Sequence, residues 1–196
     1  DPSKYEDHID EAKEVMKKYV DAVYLNGESS GGGTNLSTSD NKDQVVSLAD
    51  DKKSSDGDAE FTNDVKADRE EFIKKFVESF GKGFYNYKPS DAELRTFAEA
   101  YIKANSKRAK IDYKVKTYLP DYAVIYVRPE TIDLDNLNVY ELSSKFYDEN
   151  KGKYSSYSEA MKAGEKYILE NAPSQFESTP LDTSDSMRKE GYEIKM

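Results

Sequence analysis

The stretch over residues 111–133, IDYKVKTYLPDYAVIYVRPETID, decides the fold because it is the only long run with strong β character. Valine, isoleucine, threonine and tyrosine, which strands favour, dominate it, and Pro120-Asp121 interrupts it. This pattern predicts two strands joined by a tight turn. Helical patterns dominate the segments on either side, so we expect helices to pack on this hairpin.

Alternation along the two strands predicts which face is buried. In the first strand the predicted buried residues are the odd-numbered Ile111, Tyr113, Val115 and Thr117. In the second strand they are Ala123, Ile125 and Val127, with Tyr122, Tyr126 and Arg128 on the opposite face. Pro129 lacks a backbone donor, which predicts a sheet edge or the end of the ladder at that point.

Apolar residues at spacings of three and four predict five helices, over 5–25, 64–80, 90–106, 136–150 and 156–171. Two of them open on capping boxes, Ser90-Asp91-Ala92-Glu93 and Ser156-Tyr157-Ser158-Glu159. Gly164 costs a helix about 1 kcal/mol relative to alanine, so we expect a close contact there. Two more strands are predicted over 175–183 and 191–196, around a turn over 184–190. The predicted class is α+β, with an antiparallel sheet of about four strands packed by about five helices.

The length of 196 residues favours one α+β domain over residues 1–196. Residues 28–64 are rich in Gly, Ser, Asp and Asn and poor in periodic apolar positions, which predicts a flexible acidic insertion. Within it, Val45-Val46-Ser47-Leu48 is the short segment expected to dock.

Composition removes several classes of function. A net charge of -10 argues against a nucleic-acid partner, which would require a concentrated positive surface. The absence of cysteine removes disulfides, thiol nucleophiles and thiolate metal sites, and the single histidine, His8, excludes multi-histidine metal sites. No nucleophile elbow or phosphate-binding glycine loop is present. We therefore expect no enzyme activity, no cofactor and no catalytic or metal-binding residue.

Two acidic segments raise calcium binding as an alternative. Asp56-Gly57-Asp58-Ala59-Glu60 and Asp133-Leu134-Asp135-Asn136 both cluster oxygen ligands. Neither has the spacing of the twelve-residue calcium loop, so solvated loops and helix capping are the favoured interpretation.

The order of elements resembles a family of Gram-positive cell-surface lipoproteins of uncharacterised function. The residues that carry the resemblance are Asp1-Pro2-Ser3-Lys4-Tyr5, Val20-Asp21-Ala22-Val23-Tyr24-Leu25-Asn26-Gly27, residues 76–84, the strand after Lys110, and Phe176-Glu177-Ser178-Thr179-Pro180-Leu181. The resemblance implies a cystatin-like or NTF2-like fold and a lipid-modified cysteine just before Asp1. It also implies anchoring to the outer face of the cell membrane. The family has no known catalytic residues that could be assigned to positions of this chain.

Tyrosines supply the positive indication of binding. The predicted ligand-binding residues are Tyr118, Tyr122, Tyr126, Arg128, Tyr85 and Tyr87. On the uncovered face of the hairpin they would form an aromatic surface or the wall of a conical pocket. The alternative is that the tyrosine rings pack beneath the helices.

These observations predict a monomeric, extracellular, lipid-anchored protein that binds a protein or a small ligand without enzyme activity. An alternative is an NTF2-like pocket that binds or turns over a small molecule. A third hypothesis is a protease inhibitor, by analogy with cystatins, although Leu119-Pro120-Asp121-Tyr122 stands where their Gln-Val-x-Gly loop would be.

Overall fold

The computed structural model describes residues 3–25, 64–118, 123–182 and 192–195 of the chain. Apart from Asp64, the predicted insertion over 28–64 lies outside these residues, together with its docking segment. Tyr122 and the predicted turn over 184–190 lie outside them too.

Five α-helices and an antiparallel sheet make up the described residues, which confirms the α+β class and the number of helices. The helices are α1 (Ser3–Tyr24), α2 (Val65–Gly81), α3 (Asp91–Arg108), α4 (Val139–Glu149) and α5 (Tyr157–Asn171). The strands are β1 (Lys110–Tyr118), β2 (Ala123–Ile132), β3 (Leu181–Asp182) and β4 (Tyr192–Lys195). Two 3-10 helices, Leu134–Asn136 and Ala172–Gln175, complete the regular structure.

The sheet has fewer full strands than the four predicted. β1 and β2 form the expected antiparallel hairpin, and β4 pairs with β2 from Val124, opposite Lys195, to Val127, opposite Tyr192. β3 adds only a two-residue pairing beside β2. The described sheet is therefore a three-stranded antiparallel sheet with a short fourth segment.

The prediction of a strand over 175–183 is wrong for most of these residues. Ala172–Gln175 is a 3-10 helix with proline in its first turn, which suits the fixed φ of Pro173. The chain then turns at Phe176, whose side chain is buried. Thr179 closes the turn, because its hydroxyl and its backbone N–H both donate to the Gln175 carbonyl oxygen. Extended pairing begins only at Leu181.

A β-bulge near the end of β1 reverses the faces predicted for Thr117 and Tyr118. Up to Val115 the odd-numbered residues face the core as predicted, but the register then shifts. Thr117 stands opposite Val124, and Tyr118 stands opposite the buried Ala123. Residues directly opposite in an antiparallel pair share a face, so the extra residue turns Thr117 away from the core and Tyr118 towards it.

Pro129 does not end the ladder as the sequence suggested. It is buried and stands opposite Ile111, and the pairing continues to Glu130, opposite Lys110. β4 pairs with β2 only as far as Val127, so its ladder stops before the proline.

Side-chain caps mark the helix starts, at Asp64 without a prediction and at Ser90 as predicted. Asp64 Oδ1 accepts from the backbone N–H groups of Lys66 and Ala67, at 3.0 and 3.2 Å. The Ser90 capping box is reciprocal, because the Glu93 amide donates to the Ser90 hydroxyl at 3.1 Å and the Glu93 carboxylate accepts from the Ser90 amide at 3.2 Å. Local sequence therefore sets where these helices begin.

The described chain divides into two compact units, so the prediction of one domain stays a prediction. The hairpin unit comprises Asp1–Phe72, Ala109–Thr131 and Asp182–Met196. The helical unit comprises Ile73–Arg108 and Ile132–Leu181.

The core of the hairpin unit forms where α1 packs on the sheet. Its fully buried side chains include Met16, Tyr19, Val23 and Ile125. The Tyr19 hydroxyl donates to Asp68 Oδ2 at 2.7 Å, which gives the buried carboxylate a hydrogen bond. Arg69 donates to the carbonyl oxygens of Ala22 and Leu25 at the end of α1, where helical carbonyls lack partners.

The core of the helical unit is built around stacked aromatic rings. Phe97 on α3 lies 4.2 Å from Phe80 and 5.5 Å from Phe176, measured between ring centroids. Gly164 on α5 lies against Phe146 of α4, since a Cβ there would sit 3.5 Å from the phenyl ring. Gly164 is buried against α4 as expected, but a Cβ there would make only an ordinary van der Waals contact, so this spacing does not require glycine.

Candidate functional site

The outer face of the β1–β2 hairpin is a charged surface. Lys110 stands opposite Glu130 and Asp112 opposite Arg128, so opposite charges face each other across the strands. Such pairs stabilise a solvated sheet face by a few tenths of a kcal/mol up to about 1 kcal/mol each. Charges of opposite sign therefore stand opposite each other at these two positions of the ladder.

Tyr126 and Arg128 share this face, as predicted. The Lys116 ammonium lies 4.9 Å from the centroid of the Tyr126 ring, a cation–π contact that covers part of the ring. Arg128 Nε is buried and has no hydrogen-bond partner within the described ranges. Their role in ligand binding stays a prediction.

Tyr118 lies on the other face, because of the bulge. Its ring packs against the core of the hairpin unit and stacks on His8 of α1 with 6.1 Å between centroids. Tyr113 also faces this core, and burial raises the pKa of its phenol above the ordinary value, with Asp21 and Glu14 adding to the shift. Several tyrosines of this unit therefore serve as core residues, as the alternative interpretation proposed.

The Tyr85–Tyr87 loop of the helical unit is held by one carboxylate of α5. Glu165 Oε1 accepts from the Tyr85 amide at 2.8 Å, and Glu165 Oε2 accepts from the amides of Asn86 and Tyr87 at 2.8 and 3.0 Å. Hydrogen bonds to an ionised acceptor are the stronger kind, so three of them fix the loop backbone. The Tyr85 side chain remains 91% exposed.

Tyr87 has a structural partner of its own. Its hydroxyl lies 2.8 Å from both oxygens of Glu93, the capping-box carboxylate of α3. This hydrogen bond, together with the one from the Ser90 amide, holds the pKa of Glu93 below its ordinary value. The same bond raises the pKa of the Tyr87 phenol.

We expect the contribution of Glu93 to stability to depend on pH. A lowered folded-state pKa means that the contribution is present above the ordinary carboxyl pKa of 4.5 and is lost as pH falls through the lower folded-state value. At pH 7, Glu93→Gln should lower the thermal midpoint by roughly 1–3 °C, a small effect because solvent screens this exposed carboxylate. The difference from the wild type should shrink in melts below pH 4.5.

Glu99→Gln on the same helix is the matched control for Glu93→Gln. It breaks an exposed i,i+4 ion pair with Arg95. Such exposed ion pairs contribute little to the free energy of unfolding. If Glu93→Gln and Glu99→Gln gave the same pH profile, the Tyr87–Glu93–Ser90 network would not stabilise the start of α3.

Among residues 8–25, 64–118 and 123–182, whose side chains the structure describes, the exposed large apolar side chains all lie in the helical unit. Five are tyrosines, here called the tyrosine face: Tyr85, Tyr140, Tyr147, Tyr154 and Tyr157. The sixth is Val139, at the start of α4. The phenylalanines with described side chains are all buried or half-buried, so tyrosine supplies every exposed phenyl ring there, although other tyrosines such as Tyr19 are buried.

α4 presents two members of the tyrosine face on one side. Leu142 and Phe146 point into the core, and Tyr140 and Tyr147 lie on a different side of the helix, seven residues apart. Seven residues are close to two helical turns, so the two rings are aligned along α4 about 10 Å apart. Tyr140 is 82% exposed.

One side of α5 connects the remaining members. Tyr157, Met161 and Glu165 follow each other at intervals of four residues, so they lie within roughly 80° of one another around the helix. The Tyr147 hydroxyl donates to Met161 Sδ at 3.2 Å, and Glu165 holds the loop that carries Tyr85. Tyr154 packs its ring 5.9 Å from that of Phe146. This side of α5 therefore carries Tyr157 and contacts Tyr147 and the loop of Tyr85.

The segment that carries most of the tyrosine face has no net charge. Between residues 139 and 157 the charged side chains are Glu141, Asp148 and Glu149, and Lys145, Lys151 and Lys153. Three acidic and three basic residues cancel, whereas the whole chain has a net charge of -10. This segment is thus neutral overall within an acidic chain.

The described carboxylates do not assemble a metal site. Asp133, from the second candidate calcium segment, uses its oxygens to accept from the Asp135 amide and the Asn136 side chain, both at 3.1 Å. Within the described ranges no group of three or more histidines, aspartates and glutamates is placed to bind a metal ion. The helices among those residues include none with the length and apolar character of a membrane span.

Comparison with known proteins gives one informative likeness. A solved structure of ycdA from Bacillus subtilis, a protein provisionally classed as a lipoprotein, superimposes on this chain with a TM-score of 0.56. The two proteins share a fold. Sequence identity is 17%, and the match covers 93% of this chain and 47% of ycdA, so this chain spans about half of that protein's length. No family model matches the chain, and no curated protein matches it significantly.

Sequence reasoning identified Tyr85 but missed most of the tyrosine face. The sequence could have indicated that Tyr140 and Tyr147 are exposed, because neither lies on the apolar side of α4 that Leu142 and Phe146 define. Glu165 gave no such signal, because its partners are backbone amides of residues 78 to 80 positions earlier in the chain.

Proposed function

We propose that this chain is the ligand-binding part of a lipid-anchored protein on the outer face of a Gram-positive cell, and that it has no enzyme activity. The fold it shares with ycdA, a protein provisionally classed as a lipoprotein, supports the surface location. The cystatin-like or NTF2-like assignment remains a prediction that belongs to this proposal.

The observation that carries the proposal is the tyrosine face. Tyr85, Tyr140 and Tyr157 are each more than three-quarters exposed, although a buried ring would contribute far more to folding. Tyrosine is enriched at binding surfaces because its ring supplies apolar area and its hydroxyl a hydrogen bond. A surface of this composition suits reversible binding.

Two carboxylates of the helical unit near this surface have structural roles, which supports a non-enzymatic function. Glu165 accepts three backbone hydrogen bonds, and Glu93 serves the capping box of α3. An acid or base for catalysis needs to be directed at a substrate, whereas these two side chains are directed at the protein's own backbone.

The test is binding of the purified, fluorescently labelled protein to intact Gram-positive cells. We expect saturable binding that Tyr147→Ala/Tyr157→Ala weakens at least tenfold, since two lost hot-spot residues cost more than about 1.4 kcal/mol. Tyr157 is 78% exposed and Tyr147 only 43%, so the thermal midpoint should fall slightly, through the loss of the Tyr147 contacts with Met161 and Phe146.

Lys145→Ala/Lys162→Ala is the matched control, because it removes two exposed long side chains from the same two helices. It should bind as the wild type does. Equal binding by the tyrosine variant and the wild type would show that the tyrosine face is not the binding surface.

A further inference from the structure

We infer that the ligand of the tyrosine face is an uncharged, extended polysaccharide. This inference rests on the proposed binding function and names the class of ligand. Three properties of the tyrosine face carry it: the kind of side chain exposed, the spacing of the rings and the local charge.

The exposed side chains combine a flat ring with a hydroxyl group. Among the side chains whose burial the structure describes (residues 8–25, 64–118 and 123–182), no phenylalanine, leucine, isoleucine or methionine is exposed, while five tyrosines are. A sugar ring likewise has an apolar C–H face and a rim of hydroxyls, so it can stack on a tyrosine ring and exchange hydrogen bonds with its hydroxyl. Protein interfaces also use tyrosine, but together with tryptophan, phenylalanine and methionine. This chain has no tryptophan, and no phenylalanine or methionine is exposed among the side chains that the structure describes.

The rings are spaced for a linear ligand. Tyr140 and Tyr147 lie about 10 Å apart along α4, a separation comparable to the length of two linked sugar units. Ser143 and Ser144 lie between them on the helix and are half-buried, which leaves hydroxyl donors between the two stacking positions. An extended polymer would therefore contact rings and hydroxyls in alternation.

Charge favours an uncharged ligand. The charges of residues 139–157 cancel, so the segment that carries four of the five tyrosines has no net charge to attract a charged partner. The remainder of the chain is strongly acidic and repels polyanions such as nucleic acid. A neutral polymer is attracted by stacking and hydrogen bonding alone.

The experiment is retention of the purified protein on two insoluble, uncharged polysaccharides, chitin and cellulose, in parallel with the binding to intact cells. We expect the wild type to be retained on at least one of them, with little dependence on salt because few charges take part. Tyr147→Ala/Tyr157→Ala should lose at least tenfold in retention. Tyr147→Phe/Tyr157→Phe should keep most of it, because the rings that stack remain.

Failure of this inference is distinguishable from failure of the proposed function. If cell binding depends on the tyrosines but protease treatment of the cells abolishes it, and neither polysaccharide retains the protein, the ligand is a protein and the polysaccharide assignment is wrong. If the alanine variant binds both cells and polysaccharides as the wild type does, the tyrosine face has no binding role and both proposals are overturned.

Discussion

Phe97→Ala is expected to lower the free energy of unfolding of the helical unit by about 3–5 kcal/mol. Phe97 is only 2% exposed and lies at the centre of the aromatic stack. Its ring centroid is 4.2 Å from that of Phe80, 5.5 Å from that of Phe176 and 6.2 Å from that of Phe76. Truncation removes contacts with three rings at once and leaves a cavity that surrounding helices fill only in part.

Urea unfolding followed by circular dichroism measures this loss as a shift of the midpoint. Phe97→Leu should cost less than Phe97→Ala, because most of the apolar volume remains. Thr96→Ala, at the exposed neighbouring position, is the control and should change stability by about 0.5 kcal/mol or less. A cost below about 1 kcal/mol for Phe97→Ala would show that the stack is not the centre of this core.

The features that the sequence predicted well are local ones. The starts of α3 and α5 were predicted from side chains that bond to backbone groups three residues away, as at Ser90 and Ser156. The buried face of β2 followed from alternation within one strand, and Ala123, Ile125 and Val127 are indeed buried. In each case the residues that make the structure stand next to each other in the chain.

The features that the sequence did not predict depend on distant partners. The bulge after Val115 moves Tyr118 to the core face, and no residue type in β1 signals an extra residue in the ladder. The segment after Pro173 has strand-like composition, but Phe176 is buried with Phe97 and Tyr101 of α3 in the same core. Tertiary packing overrides local preference in that segment.

The tyrosines show the same limit in the choice of a candidate site. Composition revealed 16 tyrosines without indicating which of them would be buried. Tyr19 has no exposed surface, whereas Tyr157 is 78% exposed. Both lie on amphipathic helices, so only the position relative to each helix's apolar stripe separates a core ring from a candidate binding ring.

Tyr19→Phe is expected to lower the free energy of unfolding of the hairpin unit by about 2 kcal/mol. The substitution keeps the ring and removes only the hydroxyl, which donates to Asp68 Oδ2 at 2.7 Å. Asp68 is 3% exposed, so water does not replace the lost donor and a buried carboxylate is left with one hydrogen bond fewer. Burial, with Tyr24 and Asp68 nearby, raises the pKa of the Tyr19 phenol, which keeps it protonated as a donor at neutral pH.

Thermal melts of three variants test whether this hydrogen bond stabilises the unit. For a chain of this length, 2 kcal/mol corresponds to a decrease in midpoint of roughly 4–8 °C. Tyr140→Phe removes a hydroxyl from an exposed ring and should leave the midpoint nearly unchanged. In a double-mutant cycle, Asp68→Ala and Tyr19→Phe should couple by about 1 kcal/mol or more, because they remove the two ends of one bond. Additive effects would show that the loss in Tyr19→Phe comes from repacking around the ring and not from the hydrogen bond to Asp68.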